Sequence, residues 1–413
     1  MSWNTTNPAL GEARHNDAFT AAQRAARQAR ERLGAAPSWA LAFAGGRLDP
    51  AALLKGLRNV LGEIPIVGGS TAGLITAGGG ATLTRFECGL LLFAEPLTPG
   101  AIVSETQAGR CDAHAAGQRL GAALRAADPE AATILLLYDS VHSPAPLELH
   151  IGSHLVDGFH AGLDGLEAQL IGAGTLGELA METSVVFDGR EARRHSVVAV
   201  SMPKGLHSHI RITHGCYPAS DFLTITRLDG ERILELDGRP ALSVVAERLA
   251  LSAAEFARMA PPVLALALGE KQGDPFAPFA EAHYNNRLVM AADAESGALM
   301  LCEADFAVGT RIQLMDIEPR NMIDSVRQQT DSLLAELGAA TPLFGLYIDC
   351  AGRSLAFSGT EEEESAPVRD LIGARCPLLG FFSGVEIAPV QGRPRPLDWT
   401  GVMAVFTRAG DAG

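Results

Sequence analysis

The residues best equipped for chemistry cluster in the C-terminal third. Cys350-Ala351-Gly352-Arg353 closes an apolar run, Ser383 and Glu386 sit in a glycine turn, and Asp398-Trp399-Thr400 lead into the last apolar run. An arginine fork recognises a carboxylate through two parallel donors. A nearby glutamate can pair with an ammonium, and hydroxyls fill the remaining bonds. Singly, each residue has a plainer role: an exposed arginine, a turn-stabilising serine, a surface glutamate. Jointly they lie at the ends of apolar runs, where α/β proteins tend to place ligands.

Other sets fall short on spacing. Ser70-Thr71 sits in a sharp glycine turn, but Gly68-Gly69-Ser70-Thr71-Ala72 misses the last glycine of a GxSxG elbow. Hydroxyls in such turns more often cap backbone N–H groups or bind a ligand. A hydrolase using Ser70 or a cysteine lacks a base at recognisable spacing. Gly172-Ala173-Gly174-Thr175-Leu176-Gly177 satisfies GxGxxG, which holds a pyrophosphate only where a strand enters and a helix leaves. Here the strand-like ELAMETSVVFDG follows, so the dinucleotide reading is set aside. No GxxxxGK(S/T) loop exists.

The histidines raise a metal or haem alternative. His150 and His154, four apart, would share one helix face, with His142, Asp157 and His160 close in sequence. His207 and His209 alternate and so point to one side of a strand, with His214 following. No HExxH or carboxylate-flanked triad accompanies them, and surface or hydrogen-bonded histidines are the simpler reading. The acidic run Glu361–Glu364 reads as a solvated helix start.

Three apolar runs must position these residues. WALAF ends at Phe43, TILLLYD at Asp139 and LFGLYIDC at Cys350. Each is followed by a stretch that can hold a helix and then by a second run entering a glycine turn: PIVGGSTAGLI (65–75), QLIGAGTLGEL (169–179) and PLLGFFSGVEI (377–387). A third short run, CGLLLF, SVVAVSM or GVMAVF, completes each. The fold class expected is α/β, with two domains of mixed β-sheets layered with helices, built from degenerate strand–helix–strand–strand repeats. Residues 1–15 read as a loose leader, and DAFTAAQRAARQARERL (17–33) as a docking helix ended by Gly34 and Pro37. FLTITRL and ERILELD flank Asp229-Gly230, a two-residue hairpin signal. Gly238 breaks that pattern and Pro240 opens a helix. PPVLALALGEK, NNRLVMAADAESGALML and GTRIQLMDI read as further strands, and IDSVRQQTDSLLAELG as a helix closed by Gly338. Gly392–Pro396, with two prolines, reads as a loop unsuited to strand pairing. The expected units are a leader and helix (1–36), an N-terminal domain (37–239) and a C-terminal domain (240–408).

Composition bounds the function. Lys+Arg number 33 against 48 Asp+Glu, a formal net charge of -15, which supplies no positive field for a nucleic acid or an anionic membrane. Hydrophobic residues at 47% with 20% charged are globular, not disordered. No apolar stretch approaches the roughly 18 residues of a membrane-spanning helix. The opening MSWNTTNPAL has no apolar signal core. Six scattered cysteines without a CxxC pair fit a reducing compartment and exclude a paired-cysteine zinc site. A cytoplasmic protein is expected.

At these motifs the chain resembles the FIST family, the F-box and intracellular signal transduction sensory domain, from about Trp39 to Phe406. IVGGSTAGLI matches the N-terminal VVGxSTxGE-like turn, with Leu74 where a glutamate is usual. Gly215-Cys216-Tyr217-Pro218 through ILELDGRPAL (233–242) and CAGR (350–353) match further segments. Val385 and Asp398 depart from the usual glycine and asparagine. The resemblance implies a non-enzymatic sensor of a small polar, amino-acid-like ligand, acting with a separate signalling protein such as a histidine kinase or cyclic-nucleotide enzyme. One branch of similar make-up binds haem and senses nitric oxide, which is the alternative here; otherwise no cofactor is expected. On this reading Arg353 takes a carboxylate and Glu386 an ammonium. Ser383, Thr400 and Asp398 orient the ligand, and Cys350 packs behind. Ser70, Thr71 and Thr175 join in if the two halves face each other.

Overall fold

Each of the three apolar runs forms an inner strand of its own six-stranded sheet in the computed structural model, which describes residues 7–107, 109, 112–258 and 266–410. Cys111 and residues 261–265 of the PPVLALALGEK run lie outside the described residues. The first segment runs β1 (Ala9–Arg14), α1 (Ala18–Leu33), β2 (Pro37–Gly45), α2 (Pro50–Leu61), β3 (Ile66–Thr71), a hairpin of β4 (Leu74–Thr76) and β5 (Gly80–Thr82), and β6 (Glu87–Ala94). The second runs β7 (Ala101–Thr106), α3 (Ala113–Ala127), β8 (Thr133–Asp139), a small hairpin of β9 (Val141–Pro144) and β10 (Leu147–Leu149), and α4 (Gly152–Leu163). It continues through β11 (Gln169–Thr175), a hairpin of β12 (Val186–Gly189) and β13 (Ala192–Arg193), and β14 (Ser196–Ser201). The third opens with β15 (Leu206–Thr213) and is then interrupted.

The interruption is a second body of structure: β16 (Cys216–Pro218), β17 (Leu223–Asp229), β18 (Arg232–Leu236), β19 (Arg239–Pro240), α5 (Ala241–Arg248), α6 (Ala253–Arg258), β20 (Ala267–Lys271), β21 (Tyr284–Asp293), β22 (Ala298–Leu301) and β23 (Arg311–Ile317). Its strands pair in the order β23-β17-β18-β22-β21-β20, and β20 pairs back to β23, which closes a six-stranded barrel. The third segment then resumes with α7 (Pro319–Leu337), β24 (Phe344–Cys350), α8 (Leu355–Ser358) and β25 (Leu378–Ser383). A hairpin of β26 (Val385–Val390) and β27 (Arg393–Leu397) and then β28 (Gly401–Arg408) end it.

The three sheets share one strand order: β1-β6-β2-β3, β7-β14-β8-β11 and β15-β28-β24-β25. In each, the last two strands are parallel. Each sheet is completed by a hairpin from another segment. β4–β5 joins β25, β12–β13 joins β3, and β26–β27 joins β11. The exchange is cyclic, so strands from both sequence halves interlock.

Alternation along the strands sends side chains to two faces. One face of all three sheets meets in a single core, where Trp39 stacks on Phe93, Phe43 on Phe381 and Phe344 on Phe406. The other faces are covered by α1 and α2, by α3 and α4, and by α7. The parallel pairs approach closely at Gly68 and Gly172, where a Cβ would meet Ala42 O at 1.8 Å and Leu136 O at 2.0 Å. None of the helices formed by the described residues is long and apolar enough to cross a membrane.

Three local expectations are corrected. Residues 9–14 of the leader are not loose: β1 pairs antiparallel with β6, and Gly11 lets α1 lie against it, since a Cβ there would fall 2.1 Å from Ala25 O. Residues 1–6 lie outside the described residues. The central hairpin turns one residue later, because Asp229 pairs with Arg232 and leaves Gly230 and Glu231 as the loop. Gly392–Pro396 is not an unpaired loop. Arg393–Leu397 is the outermost strand of its sheet, where Pro394 and Pro396 need donate no ladder bond.

Candidate functional site

The glycine turns place Thr71, Thr175 and Ser383 at the ends of β3, β11 and β25, in register with Gly45, Asp139 and Cys350. The hydroxyls tie neighbouring backbone together. Thr175 Oγ1 donates to Tyr138 O (3.1 Å), and Ser383 Oγ lies 3.1 Å from Asp349 O, the matching carbonyl of β24. Thr71 Oγ1 reaches Phe382 O (2.8 Å) and Gly73 O (2.7 Å). Gly384 N donates to Gly174 O (2.9 Å) and Ser70 N to Val185 O (3.0 Å), so each strand end is hooked to another segment. The halves do face each other, with Thr71 and Thr175 acting as fasteners. Ser70 lines a separate cavity with Gly45, Ser184 and Arg194, and its Oγ accepts from Val185 N (2.9 Å).

A cavity of about 210 Å³ opens at the ends of β24 and β25. Cys350, Gly352, Ser383 and Gly384 form its floor. The loop after β11 contributes Leu176, Leu179 and Met181, and β21 contributes Leu288–Met290. Cys302, Phe357, Asp398 and Trp399 complete the wall. Cys350 therefore lines the space rather than packing behind it. Burial pushes both the Cys350 and the Cys302 thiols well above their usual range, so they stand as neutral thiols. Asp398 Oδ2 accepts from Leu288 N (3.0 Å), which fixes the carboxyl against β21. Burial raises its pKa, against the pull of Arg287. Trp399 adopts a left-handed backbone (φ 54), and its indole N–H is buried without a partner among the described residues. An unpaired buried donor in a cavity wall calls for an acceptor.

Arg353 and Glu386 do not line this space. Arg353 is fully buried and its fork is spent inside the protein. Nη1 donates to Thr213 O (2.7 Å) and Trp399 O (3.1 Å), and Nη2 to Glu364 Oε2 (2.6 Å) and Thr213 Oγ1 (3.3 Å). Nε lies 3.1 Å from Asp349 Oδ1. The expectation that Arg353 takes a ligand carboxylate is therefore corrected: Glu364 occupies that place. The acidic run is corrected with it, since Glu361 and Glu362 are exposed while Glu364 is buried and also accepts from Tyr347 OH (2.8 Å). Asp349, held by burial and the Glu364 charge well above the carboxylate range, is the neutral member of the trio.

Glu386 is likewise buried, and burial drives its pKa well up against a hydrogen bond from Ser383. Its Oε1 lies 2.7 Å from Ser383 Oγ, and Oε2 accepts from Thr400 N (3.3 Å). Both oxygens are taken up inside the protein and Glu386 does not line the cavity, so its expected role toward a ligand ammonium is corrected too. Thr400 Oγ1 donates to Asp398 O (2.9 Å). Arg353, Glu386 and Thr400 thus position the residues that face the cavity.

Two groups from the barrel escaped the sequence reading. Arg287, fully buried, grips Asp305 through Nε (2.8 Å) and Nη2 (2.5 Å) beside Asp398. Glu303 caps α4, accepting from Gly152 N (3.1 Å) and Ser153 N (2.7 Å), and burial lifts its pKa to about 7. Nothing in their spacing marked them, because their partners lie far away in sequence.

The histidine sets separate. α4 begins at Gly152, so His150 precedes the helix and shares no helical face with the exposed His154. His207 and His209 do lie on one side of β15, with ring centroids 4.5 Å apart. His209 is bonded at both nitrogens, to Glu336 (2.6 Å) and Thr407 (3.0 Å). His214 is also engaged at both, by Glu281 O (3.1 Å) and Cys216 N (2.9 Å), and burial lowers its pKa.

Three interlocked sheets with strand-end turns, and a barrel set into the third segment, define an α/β protein. The family models agree: the FIST N domain matches residues 38–239 and the FIST C domain residues 241–389. The chain belongs to the FIST family, whose domains are associated with signal transduction and small-ligand sensing. It is 28% identical over 221 residues to an uncharacterized protein of Mycobacterium tuberculosis, covering 54% of this chain and 56% of that one. An uncharacterized protein of Mycobacterium bovis is 27% identical over 223 residues, with the same coverage. The chain spans about half the length of the curated relatives it matches. Among solved structures, a chorismatase aligns at TM-score 0.35 and 12% identity over 98% of this chain and all of that one. A cyanuric acid hydrolase from A. caulinodans aligns at 0.38 and 10% over 97% and 99%. Likeness this distant carries no argument about activity.

Proposed function

We propose that the protein is a sensor whose ligand, a small amino-acid-like metabolite with an apolar side chain, occupies the cavity at the ends of β24 and β25. The observation that carries this reading is the cavity's make-up. Its walls are mostly apolar, Ser383 in the floor and Asp398 in the wall add polar groups, and the wall includes an indole donor without a partner among the described residues. Asp398 Oδ1 is the group for an ammonium, whose arrival would draw the carboxyl back to its charged form. Trp399 Nε1 is the donor for a carboxylate or carbonyl. At about 210 Å³ the space falls below the roughly 300–1,000 Å³ of drug-sized pockets, which favours a metabolite of few atoms.

Signalling follows from who builds the walls. The loop after β11 belongs to the first half, β21 to the barrel and β24–β25 to the third segment, so a ligand bridges all three. A ligand shifts such an arrangement only by its differential affinity for the states. The output passes to a separate protein, with a histidine kinase or a cyclic-nucleotide enzyme as the class. A thermal-shift screen of amino acids and related metabolites, followed by calorimetry, tests the reading. Binding at a hundredfold excess over Kd stabilises by about 2.7 kcal/mol. A Leu288→Trp variant, which fills the cavity, should abolish the shift. A hit whose affinity Leu288→Trp leaves unchanged would place the ligand elsewhere.

A further inference from the structure

We propose that His142, His150 and His195 form a binding site for a divalent transition-metal ion of the zinc class, apart from the cavity. The three come from separate places. His142 lies on β9, His150 just before α4, and His195 in the turn between β13 and β14. One ring nitrogen from each falls within 4.8 Å of the other two, and His150 Nε2 lies 3.1 Å from His195 Nδ1. Nitrogens about 2.0–2.1 Å from a tetrahedral zinc stand roughly 3.3 Å apart. The ring planes meet at 79°, 58° and 68°, so no pair of the three is stacked.

The three histidines share a scaffold. The end of β8 organises all three. Asp139 Oδ2 accepts from His195 N (2.6 Å), and Asp139 Oδ1 from Val141 N (3.2 Å), the residue before His142. His150 N donates to Ser140 O (3.0 Å). Asp139 is held in turn by the Ser184 hydroxyl. His195 is kept in a left-handed conformation (φ 47), with its carbonyl fixed by Gln107 N (2.6 Å). Backbone in that region costs free energy and persists where the surroundings over-determine it, as at ligand clamps. His150 is buried and the other two are half-buried, which leaves the cluster open on one side. Glu148 Oε2 lies 3.8 Å from His142 Nε2, outside the group of three, where it would hold that ring in place. Three imidazoles suit zinc, cobalt, nickel or copper rather than magnesium or calcium.

The test uses the full chain stripped with a chelator. Zinc is titrated against a chromophoric competitor, and cobalt(II) is followed in the visible. The expected result is one ion per chain, the intense bands of four-coordinate cobalt, and a melting temperature raised by the metal. His142→Ala and His195→Asn, the latter keeping a residue that tolerates a left-handed backbone, should each weaken binding by more than about tenfold. Both should melt like the metal-free parent in chelator. No stoichiometric binding in the parent overturns the proposal, as does unchanged affinity in both folded variants. If a variant fails to fold, the parent's cobalt spectrum still decides, because a weak six-coordinate spectrum overturns it.

Discussion

At the end of β8 the residue paired with Thr175 is Asp139, whereas at the end of β24 the residue paired with Ser383 is Cys350. The two strand ends hold the same place in sheets of the same order, and each carries a hydroxyl set on the neighbouring backbone. They differ in what the paired residue does next. Asp139 gathers the Val141 and His195 amides and the Ser184 hydroxyl, so the space beyond it fills with ordered loop. Cys350 meets the Gly352 and Trp399 backbone only through its thiol, a weak acceptor, and a cavity remains in front of it. The carboxyl group at the third end, Asp349, sits one residue earlier and lies against Arg353 instead. One scaffold therefore yields a tied-down loop or a ligand-sized space, according to how strongly the last residue holds the amides beside it.

The largest effect should follow from breaking the ionic support behind the third end. Arg353→Met would leave Glu364 buried without its cation, and losing one partner of a buried pair costs about 3–5 kcal/mol. Urea unfolding should show that loss in the absence of any ligand. Arg353→Lys should also destabilise, since a point charge cannot serve two carbonyls and two carboxyl groups set around a planar fork. A parent-like stability with lost ligand binding would instead return Arg353 to the ligand and break the comparison.

Asp398→Asn probes the cavity itself. The amide oxygen can still accept from Leu288 N, so the unliganded melting temperature should stay near the parent's. A ligand ammonium would lose its charged partner, at roughly 2–5 kcal/mol of binding. Calorimetry with a metabolite from the screen checks this. Unchanged affinity would show that the cavity does not use its carboxyl.

Between the two ends stands Glu303, which reaches from the barrel to the start of α4. Its pKa in the folded protein is about 7 against an ordinary 4.5, because burial favours the neutral acid. The folded state therefore holds a proton that the unfolded chain gives up first. This group's contribution is fully present below about pH 4.5, is lost as pH rises through 7, and is flat above that. Glu303→Gln, fixed in the neutral form, should gain stability relative to the parent across that window. A parent-to-variant difference that does not change from pH 5 to pH 8 would remove Glu303 as a titrating group.

The sequence carried the sheets better than the site. Apolar runs ending at Asp139 and Cys350 announce buried strands, and glycine turns announce their ends, because both signals are local. The cyclic exchange of hairpins was invisible, since which sheet β12 or β26 joins depends on contacts far along the chain. Cys350, Ser383 and Asp398 were legible as strand-end residues and do meet at the cavity. Arg353 and Glu386 were legible too, yet their types fit a buried network as well as a ligand, and only burial separates the two. β1 was missed because ALGEAR has no clean alternation, its glycine being there to admit α1. Glu364 was hidden inside a run of identical residues.

The smallest effects should separate the hydroxyl fasteners. Thr175→Val keeps the shape and removes one hydrogen bond, to Tyr138 O, which is worth about 0.5–1.5 kcal/mol net. Thr71→Val removes more, because Thr71 Oγ1 both donates to backbone carbonyls and accepts from Gly73 N (3.2 Å). Leaving that buried amide unpaired adds its desolvation cost of about 1–3 kcal/mol. Thr71→Val should thus be the more destabilising of two chemically identical changes in urea unfolding. Equal losses would mean that Gly73 N finds another acceptor, and that the first and second strand ends are fastened more alike than their hydrogen bonds imply.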